Sequence, residues 1–341
     1  MLRFLNPSGA VGLELDTDTI RVLELRSKGK SVYPAVVEQI SIPAEAVVEG
    51  TINDVDAVTD ALINLWAKAR ISKREVVLGL SNQGIIMRSA FFPKRVEKKL
   101  AQVIRFQAED LFPIPIAELV VDYSVIGDTG NGGDQIEVLL VGAKRDMLEK
   151  CLQALAGAGL TPEIIDTSFL ALTRLLNHRH LTETLVVVDI ANGNCTLLLV
   201  ENGKPRFARF IQHSLKSYTG EMHLALEALD QAAVATDEPE MSDNNLSNNR
   251  YSVLIGEIRN SVGYYVARHD EINVNSLLLS GRGARLPGLK EYKEQHLNVP
   301  VTKIEPPAKL VLSHSTSLLY GPDEWLDFAV CTGLAMRGLG G

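Results

Sequence analysis

The sequence has few of the residues that mark disulfide-rich, zinc-binding or membrane-spanning proteins. Its three cysteines, Cys151, Cys195 and Cys331, are odd in number and show no CxxC spacing, so neither a disulfide framework nor a zinc site is indicated. No window approaches about 18 uninterrupted apolar residues, and residues 1–12 are too interrupted for the core of a signal peptide. We therefore expect a protein of the reducing cytoplasm with no membrane span of its own.

Basic charge is also in short supply. The chain has 34 Lys and Arg against 42 Asp and Glu, a formal net charge of −8, which argues against nucleic acid or anionic lipid as the main partner. A hydrophobic content of 46% and a charged content of 22% are typical of a folded globular protein, and they exclude disordered, collagen-like and coiled-coil classes. The length of 341 residues predicts about two domains.

Apolar periodicity predicts two three-stranded meanders in different halves of the chain. The predicted strands are residues 10–15, 19–26 and 31–42, then 184–190, 195–201 and 204–211. Asn202-Gly203 is typical of a type I′ hairpin turn. The meanders begin at Val11 and Val187, 187 minus 11 or 176 residues apart, which indicates two duplicated lobes. Two unrelated sheets remain the alternative.

Between and after the meanders the sequence predicts mixed structure. A capped helix to residue 70 and a strand at 75–80 precede a small α+β unit at 81–159. This unit has strands at 85–92, 119–126 and 135–142, helices at 96–112 and 146–158, and a glycine-rich hairpin turn at 127–134. The second half is predicted to contain helices at 216–235, 252–269, 287–296 and 323–337, strands at 276–279 and 299–303, and a surface loop at 236–250.

Glycine-bearing turns and strand-end acids form a candidate nucleotide site. Glu14 and Asp189 each end the first strand of a meander, where carboxylates can hold Mg²⁺ through water while hairpin amides clasp phosphates. The alternative is that both are ordinary strand-end residues. The candidate nucleotide-binding residues are Gly12, Glu14, Asp16, Thr17, Arg21, Asp189, Asn192, Gly193, Asn194, Gly281 and Gly283, with Glu14 and Asp189 as candidate Mg²⁺ ligands.

The chain resembles the actin-like ATPase superfamily and, within it, the PilM family of type IV pilus assembly proteins, which is related to the division protein FtsA. The most specific stretch runs from Leu80-Ser81-Asn82 through residues 104–115 to Val121-Asp122-Tyr123. The resemblance implies an α/β, actin-like (ribonuclease H-like) two-lobed fold with an inserted SHS2-type subdomain. Its implied boundaries are 8–80 and 160–183 for the first lobe, 81–159 for the subdomain and 184–341 for the second lobe.

Three departures from the family pattern bear on nucleotide binding. Asp16 and Ala191 stand where glycine is usual, and Ser280 and Arg282 interrupt a turn that is usually a run of glycines. An uncompensated Asp16 about 5 Å from a phosphate would cost on the order of 3 kcal/mol, a roughly hundredfold loss of affinity. ATP and Mg²⁺ are thus possible but weakened ligands, or are not bound at all, and efficient ATP hydrolysis is not expected.

The resemblance implies a cytoplasmic scaffold, peripheral at the inner membrane. Such a protein binds the N-terminal cytoplasmic tail of a PilN-like inner-membrane protein in a groove between the first lobe and the inserted subdomain. Arg88, Phe106 and Glu109 are the candidate groove residues, and pilus motor or platform proteins are possible further partners. Two alternatives stay open, namely an actin-like ATPase or kinase and a cytoplasmic component of a type II secretion assembly.

Overall fold

The computed structural model describes residues 9–128, 134–211, 244–267, 273–286, 288–312 and 323–340. The predicted helix at 216–235 and most of the glycine-rich turn lie outside these ranges. Within them the strands form two five-stranded sheets, one three-stranded sheet and one small two-stranded pair.

The first sheet has the strand order β10-β6-β1-β2-β3. Its strands are β1 (Gly9–Leu15), β2 (Thr19–Lys28), β3 (Ser31–Ser41), β6 (Glu75–Leu80) and β10 (Thr161–Thr167). β1, β2 and β3 are antiparallel, as predicted for a meander, whereas β6 joins β1 and β10 in parallel. The two-stranded pair, β4 (Val47–Val48) and β5 (Thr51–Ile52), lies in the connection after β3.

The second sheet repeats this topology with the order β13-β12-β11-β14-β15. Its strands are β11 (Thr184–Ile190), β12 (Cys195–Glu201), β13 (Lys204–Ile211), β14 (Ser276–Ser280) and β15 (Val301–Lys303). The first three are antiparallel and the last two are added in parallel. Asn202 and Gly203 have φ of 50° and 74°, the positive values that a type I′ turn requires. The shared order and directions confirm the predicted duplication.

Helices cover both sheets. They are α1 (Val55–Ala69), α3 (Arg145–Gly157), α4 (Ser168–Thr173), α5 (Asn244–Val266), α6 (Leu289–Leu297) and α7 (Ala329–Gly338). α1 begins where Asp54 accepts a hydrogen bond from the backbone N–H of Ala57 at 2.9 Å, a capping interaction. Its buried stripe includes Val58, Leu62 and Leu65, which recur at helical spacing.

α7 packs against the first sheet although it follows the second sheet in sequence. A Cβ atom at Gly12 would lie 2.1 Å from the carbonyl oxygen of Cys331, and one at Gly333 would lie 2.1 Å from that of Ala171. Only glycine permits such close backbone approach. β1, α4 and α7 therefore form one tightly packed layer.

The three-stranded sheet belongs to the inserted α+β unit. Its order is β7-β9-β8, from β7 (Ile85–Pro93), β9 (Gln135–Lys144) and β8 (Leu119–Asp128). α2 (Leu100–Leu111) follows a 3₁₀ turn at Lys94–Lys99 and packs on one face. The buried apolar cluster under α2 includes Phe92, Ile104, Phe112, Val138 and Leu140. This unit therefore has a small core of its own, with the elements predicted from the sequence.

The prediction of a loop at 236–250 is wrong for residues 244–250. α5 begins at Asn244, whereas the sequence predicted a helix start at residue 252. The Asn- and Ser-rich run has low helix propensity, but extending a long helix costs less than nucleating a new one. Residues 236–243 lie outside the described ranges. The terminal helix also differs, since its first turn, Glu324–Phe328, is 3₁₀.

Candidate functional site: an interlobe cleft and an outer groove

The two strand-end acids lie in equivalent places in the duplicated sheets. Glu14 is the penultimate residue of β1, and Asp189 is the penultimate residue of β11. Both side chains are buried and line one small cavity between the lobes, together with Arg21 and Gly281. The structure therefore brings together the acids that the sequence predicted as partners.

Asp16 is the centre of the interlobe contact. Its Oδ1 accepts hydrogen bonds from the backbone N–H of Thr17 at 2.8 Å and of Gly193 at 3.0 Å. Its Oδ2 accepts from the backbone N–H of Asn192 at 3.0 Å and from Arg21 Nη1 at 3.1 Å. The side chain is only 2% exposed. One carboxylate thus binds backbone donors from both hairpins.

The turn at 191–194 makes further contacts to the first lobe and to Ser81. Asn192 Nδ2 donates to Asp18 Oδ1 at 2.7 Å, and Asn194 Nδ2 donates to the Ser81 carbonyl at 2.9 Å. A Cβ atom at Gly193 would lie 1.5 Å from Thr17 Oγ1. The two hairpins are therefore in direct van der Waals contact.

Burial changes the protonation of the two acids. It raises the pKa of Glu14 to about 8, against the opposing charge of Arg21, whose Nη1 lies 3.7 Å from Glu14 Oε2. Burial also raises the pKa of Asp189 to about 6. A carboxyl group must be ionised to hold Mg²⁺, so binding of Mg²⁺ at Glu14 would have to displace this proton. No group of three or more acidic, His or Cys residues within the described ranges is arranged to hold a metal ion.

The cavity between these groups has a volume of about 10 Å³. That is at the limit for one water molecule, whereas sites for drug-sized or nucleotide-sized ligands occupy several hundred Å³. Glu14, Arg21 and Asp189 line the cavity, so a water there would have polar neighbours. In this conformation the residues do not fit a nucleotide.

The glycine-rich turn that carries the candidate nucleotide-binding residues Gly281 and Gly283 is used for packing. A Cβ atom at Gly281 would lie 2.6 Å from the carbonyl oxygen of Ile190, and one at Gly283 would lie 2.3 Å from Ile190 Cγ2. Arg282 Nε lies 3.7 Å from Asp327 Oδ2. The turn therefore closes onto the end of β11 and onto the segment before α7.

A much larger groove lies outside the cleft. It has a volume of about 520 Å³ and lies between β7 of the inserted unit and β13 of the second sheet. Its lining residues include Ile85, Met87, Arg88, Ala208, Phe210, Ile211 and Glu257. A neighbouring cavity of about 260 Å³ shares Gln83, Phe210 and Ile211 and reaches the connection that contains β4.

The sequence predicted a groove between the first lobe and the inserted subdomain, whereas this groove lies between the inserted unit and the second sheet. Of the predicted groove residues, Arg88 lies on its lining. Phe106 is 89% exposed on α2, and Glu109 is also exposed there, but neither lines the two cavities described here. The sequence analysis missed Ala208 and Phe210. A signal for them existed, because the last strand of a meander often forms the edge of its sheet.

The chain is similar to known proteins both in sequence and in fold. The family model of the type IV pilus assembly protein PilM matches residues 12–339. A solved structure described as the PilM-PilN type IV pilus biogenesis complex contains a chain 25% identical to this one, with a TM-score of 0.79, covering 97% of this chain and 98% of that one.

A second solved structure, the ethanolamine utilization protein EutJ from Carboxydothermus hydrogenoformans, is 15% identical with a TM-score of 0.53. The match covers 98% of this chain and 92% of that one. At 15% identity it is evidence for the fold alone. The α/β, actin-like fold expected from the sequence is confirmed. No helix within the described ranges is long and apolar enough to cross a membrane.

Proposed function

The chain belongs to the PilM family of type IV pilus assembly proteins, and on that premise we propose that it is a scaffold that binds the N-terminal cytoplasmic tail of a PilN-like inner-membrane protein. The observation that carries this proposal is the groove of about 520 Å³ between β7 and β13. A similar solved chain comes from a PilM-PilN complex. The groove is the larger of the two openings next to the inserted unit.

The groove suits an extended peptide. β7 pairs only with β9, and β13 pairs only with β12, among the described strands. Edge strands present N–H and C=O groups that can pair with an added strand. Ile86 and Phe210 on the lining are partly exposed and supply apolar contact for side chains of such a peptide.

The rim of the groove carries charge of both signs. Arg88 is exposed, and Arg209 Nη2 lies 3.0 Å from Glu257 Oε2. An exposed guanidinium can bind a carboxylate with two parallel hydrogen bonds. We expect Arg88 to fix the direction of the bound tail by pairing with an acidic group on it.

A tail of this kind would hold the protein at the inner membrane. The tether raises the effective concentration of the tail, so a moderate affinity is sufficient for a stable peripheral location. Pilus motor or platform proteins are further proposed partners. The inserted α+β unit, proposed to be of the SHS2 type, and the two lobes with the boundaries given above would then frame the tail-binding surface.

The proposed scaffold works without ATP hydrolysis. The cleft volume of about 10 Å³ and the buried pairing of Asp16 with Arg21 support this part of the proposal. ATP and Mg²⁺ are at most weak ligands under this proposal. Phosphate release from Mg-ATP is expected to stay at the background rate, and a release rate that saturates with ATP would contradict it and favour the ATPase alternative.

The tail-binding experiment uses a labelled peptide with the N-terminal sequence of a PilN-like protein from the same organism. Fluorescence anisotropy with the full chain is expected to show saturable binding. Ala208→Trp fills the groove and should weaken binding at least about tenfold. Circular dichroism and the melting temperature verify that this variant is folded.

Phe106→Ala and Glu109→Ala are the matched controls, because both residues are exposed on α2 of the same unit. Neither substitution should change binding if the tail occupies the groove. A large loss with Phe106→Ala and none with Ala208→Trp would move the site to the outer face of α2. Absence of binding by the folded wild-type chain would overturn the proposed function itself.

A further inference from the structure

We propose that Asp16 is a built-in occupant of the anion site between the two hairpins, so that this chain closes its interlobe cleft with its own carboxylate and without a nucleotide phosphate. The proposal concerns the cleft and does not depend on what binds the outer groove. It rests on the contacts of Asp16, on the space around it and on the way the cleft is closed elsewhere.

The donors around Asp16 form an anion-binding arrangement. Three are backbone N–H groups, from Thr17, Asn192 and Gly193, and the fourth is a guanidinium N–H of Arg21. Converging backbone N–H groups in turns make concave sites for phosphates and other anions. A carboxylate has four acceptor positions on its two oxygens, and Asp16 accepts four hydrogen bonds. The site is thus satisfied by the chain itself.

Asp16 and the Arg21 guanidinium that pairs with it are both buried. Asp16 is 2% exposed and Arg21 is 3% exposed. A phosphate brought to the same donors would meet the Asp16 carboxylate at short range, and two like charges at that distance repel strongly in a partly buried site. The structure therefore assigns to Asp16 the place that a phosphate would need.

The remaining cleft contacts are also internal. Asn192 Nδ2 donates to Asp18 Oδ1 at 2.7 Å, and Arg285 Nη2 donates to Asp327 Oδ2 at 3.2 Å. Gly193 lies against Thr17 with no room for a Cβ atom. Side chains of this chain thus join the two hairpins to each other and the turn after β14 to the segment before α7, which is what a cleft closed without ligand requires.

The test compares Asp16→Gly with Asp16→Asn by titration calorimetry, with pyrophosphate and then Mg-ATP as probes. Wild type is expected to bind neither at about 1 mM. Asp16→Gly removes both the charge and the carboxylate group, so it should bind pyrophosphate about a hundredfold more tightly than wild type. Asp16→Asn keeps the shape of the side chain and should show no such gain, because the site stays filled.

Amide hydrogen exchange of the ligand-free wild-type chain is a second measurement that needs no variant. Asn192 and Gly193 donate to Asp16, so their amides should exchange slowly without nucleotide. Rapid exchange of these two amides would overturn the proposal, as would wild-type binding of Mg-ATP with a dissociation constant below about 100 μM. A folded Asp16→Gly variant that gains no pyrophosphate binding would also overturn it.

Discussion

The interlobe cleft and the outer groove differ in almost every physical respect, although both lie next to the second sheet. The cleft holds about 10 Å³ and is lined by charged groups that pair with one another. The groove holds about 520 Å³ and is lined largely by two edge strands. The charged side chains of the cleft pair with one another and so stabilise the fold. The edges of β7 and β13, which pair with no further strand among the described residues, can instead bind a partner.

The difference also shows how a duplicated fold can change its ligand. The same strand order and hairpin positions occur in both halves of the molecule, and the cleft lies between the two halves. The Asp16 carboxylate on one hairpin binds backbone N–H groups of the opposite hairpin. The cleft therefore connects the two lobes and does not serve as a cavity for a ligand. The four substitutions below test whether the contacts in the cleft stabilise the fold and whether the groove is open to a partner.

The largest effect is expected from Arg21→Ala. Arg21 is buried and lies within 3.7 Å of both Glu14 and Asp16, so its removal leaves buried carboxylates without a cation. Breaking one partner of a buried pair costs about 3–5 kcal/mol, measured here as the free energy of unfolding in urea. Lys68→Ala is the control, because Lys68 is 55% exposed in its pair with Glu38 and should cost less than about 1 kcal/mol. Equal effects of the two would mean that the cleft pairing is not structural.

Glu14→Gln should change the pH dependence of stability. The folded-state pKa of Glu14 is about 8 against an ordinary value of 4.5, so between these values the folded chain holds a proton that the unfolded chain has released. Raising the pH through this window therefore destabilises wild type, by roughly 2–4 kcal/mol. Gln cannot titrate, so the wild-type-minus-variant difference in unfolding free energy should fall between about pH 5 and pH 8. A difference that is flat with pH would contradict the raised pKa.

Gly193→Ala should separate the hairpins. The new Cβ atom would fall 1.5 Å from Thr17 Oγ1, and overpacking of this kind costs about 1–3 kcal/mol. The melting temperature should fall accordingly. Gly256→Ala in α5 is the matched control, since a Cβ atom there meets no neighbour within 4 Å, and alanine should be neutral or stabilise the helix by up to about 1 kcal/mol. Unchanged stability of Gly193→Ala would show that the lobes are not in contact.

The smallest effect on stability is expected from Arg88→Glu in the groove. Exposed substitutions of this type change the free energy of unfolding by about 0.5 kcal/mol or less. Tail binding, measured by anisotropy, should nevertheless weaken about tenfold, because the cation on the rim becomes an anion. Arg105→Glu makes the same charge change at an exposed position of α2 and should leave tail binding unaltered. If both variants weaken binding equally, a general charge effect replaces the specific contact.

Local sequence patterns were sufficient for most of the fold. β11, β12 and β13 were predicted to the residue, because apolar runs bounded by polar residues and the Asn202-Gly203 turn are local signals. The start of α5 at Asn244 was missed, since the polar run before residue 252 carries no apolar period. The residue at which a helix ends depends on how far an already formed helix extends. A local apolar pattern does not carry that information.

The candidate site was predictable only as a set of residues. Glycine-bearing turns and the pair Glu14 and Asp189 are visible in sequence because their types and positions repeat. The binding of Asp16 to Asn192 joins residues 176 positions apart, and it depends on the distance between the lobes, which no local pattern encodes. The same limit explains why Arg88 was found at the groove while Ala208, on another sheet, was not.

The contact between Gly12 and Cys331 has a consequence for synthesis of the chain on the ribosome. β1 is translated early, yet the helix that covers it, α7, is translated almost a full chain length later. Until residues 329–338 have emerged, the part of the first sheet that packs against α7 lacks this cover. A truncated translation product would therefore expose this part of the sheet to chaperones and proteases, so quality control would distinguish an incomplete chain from a finished one before any partner is met.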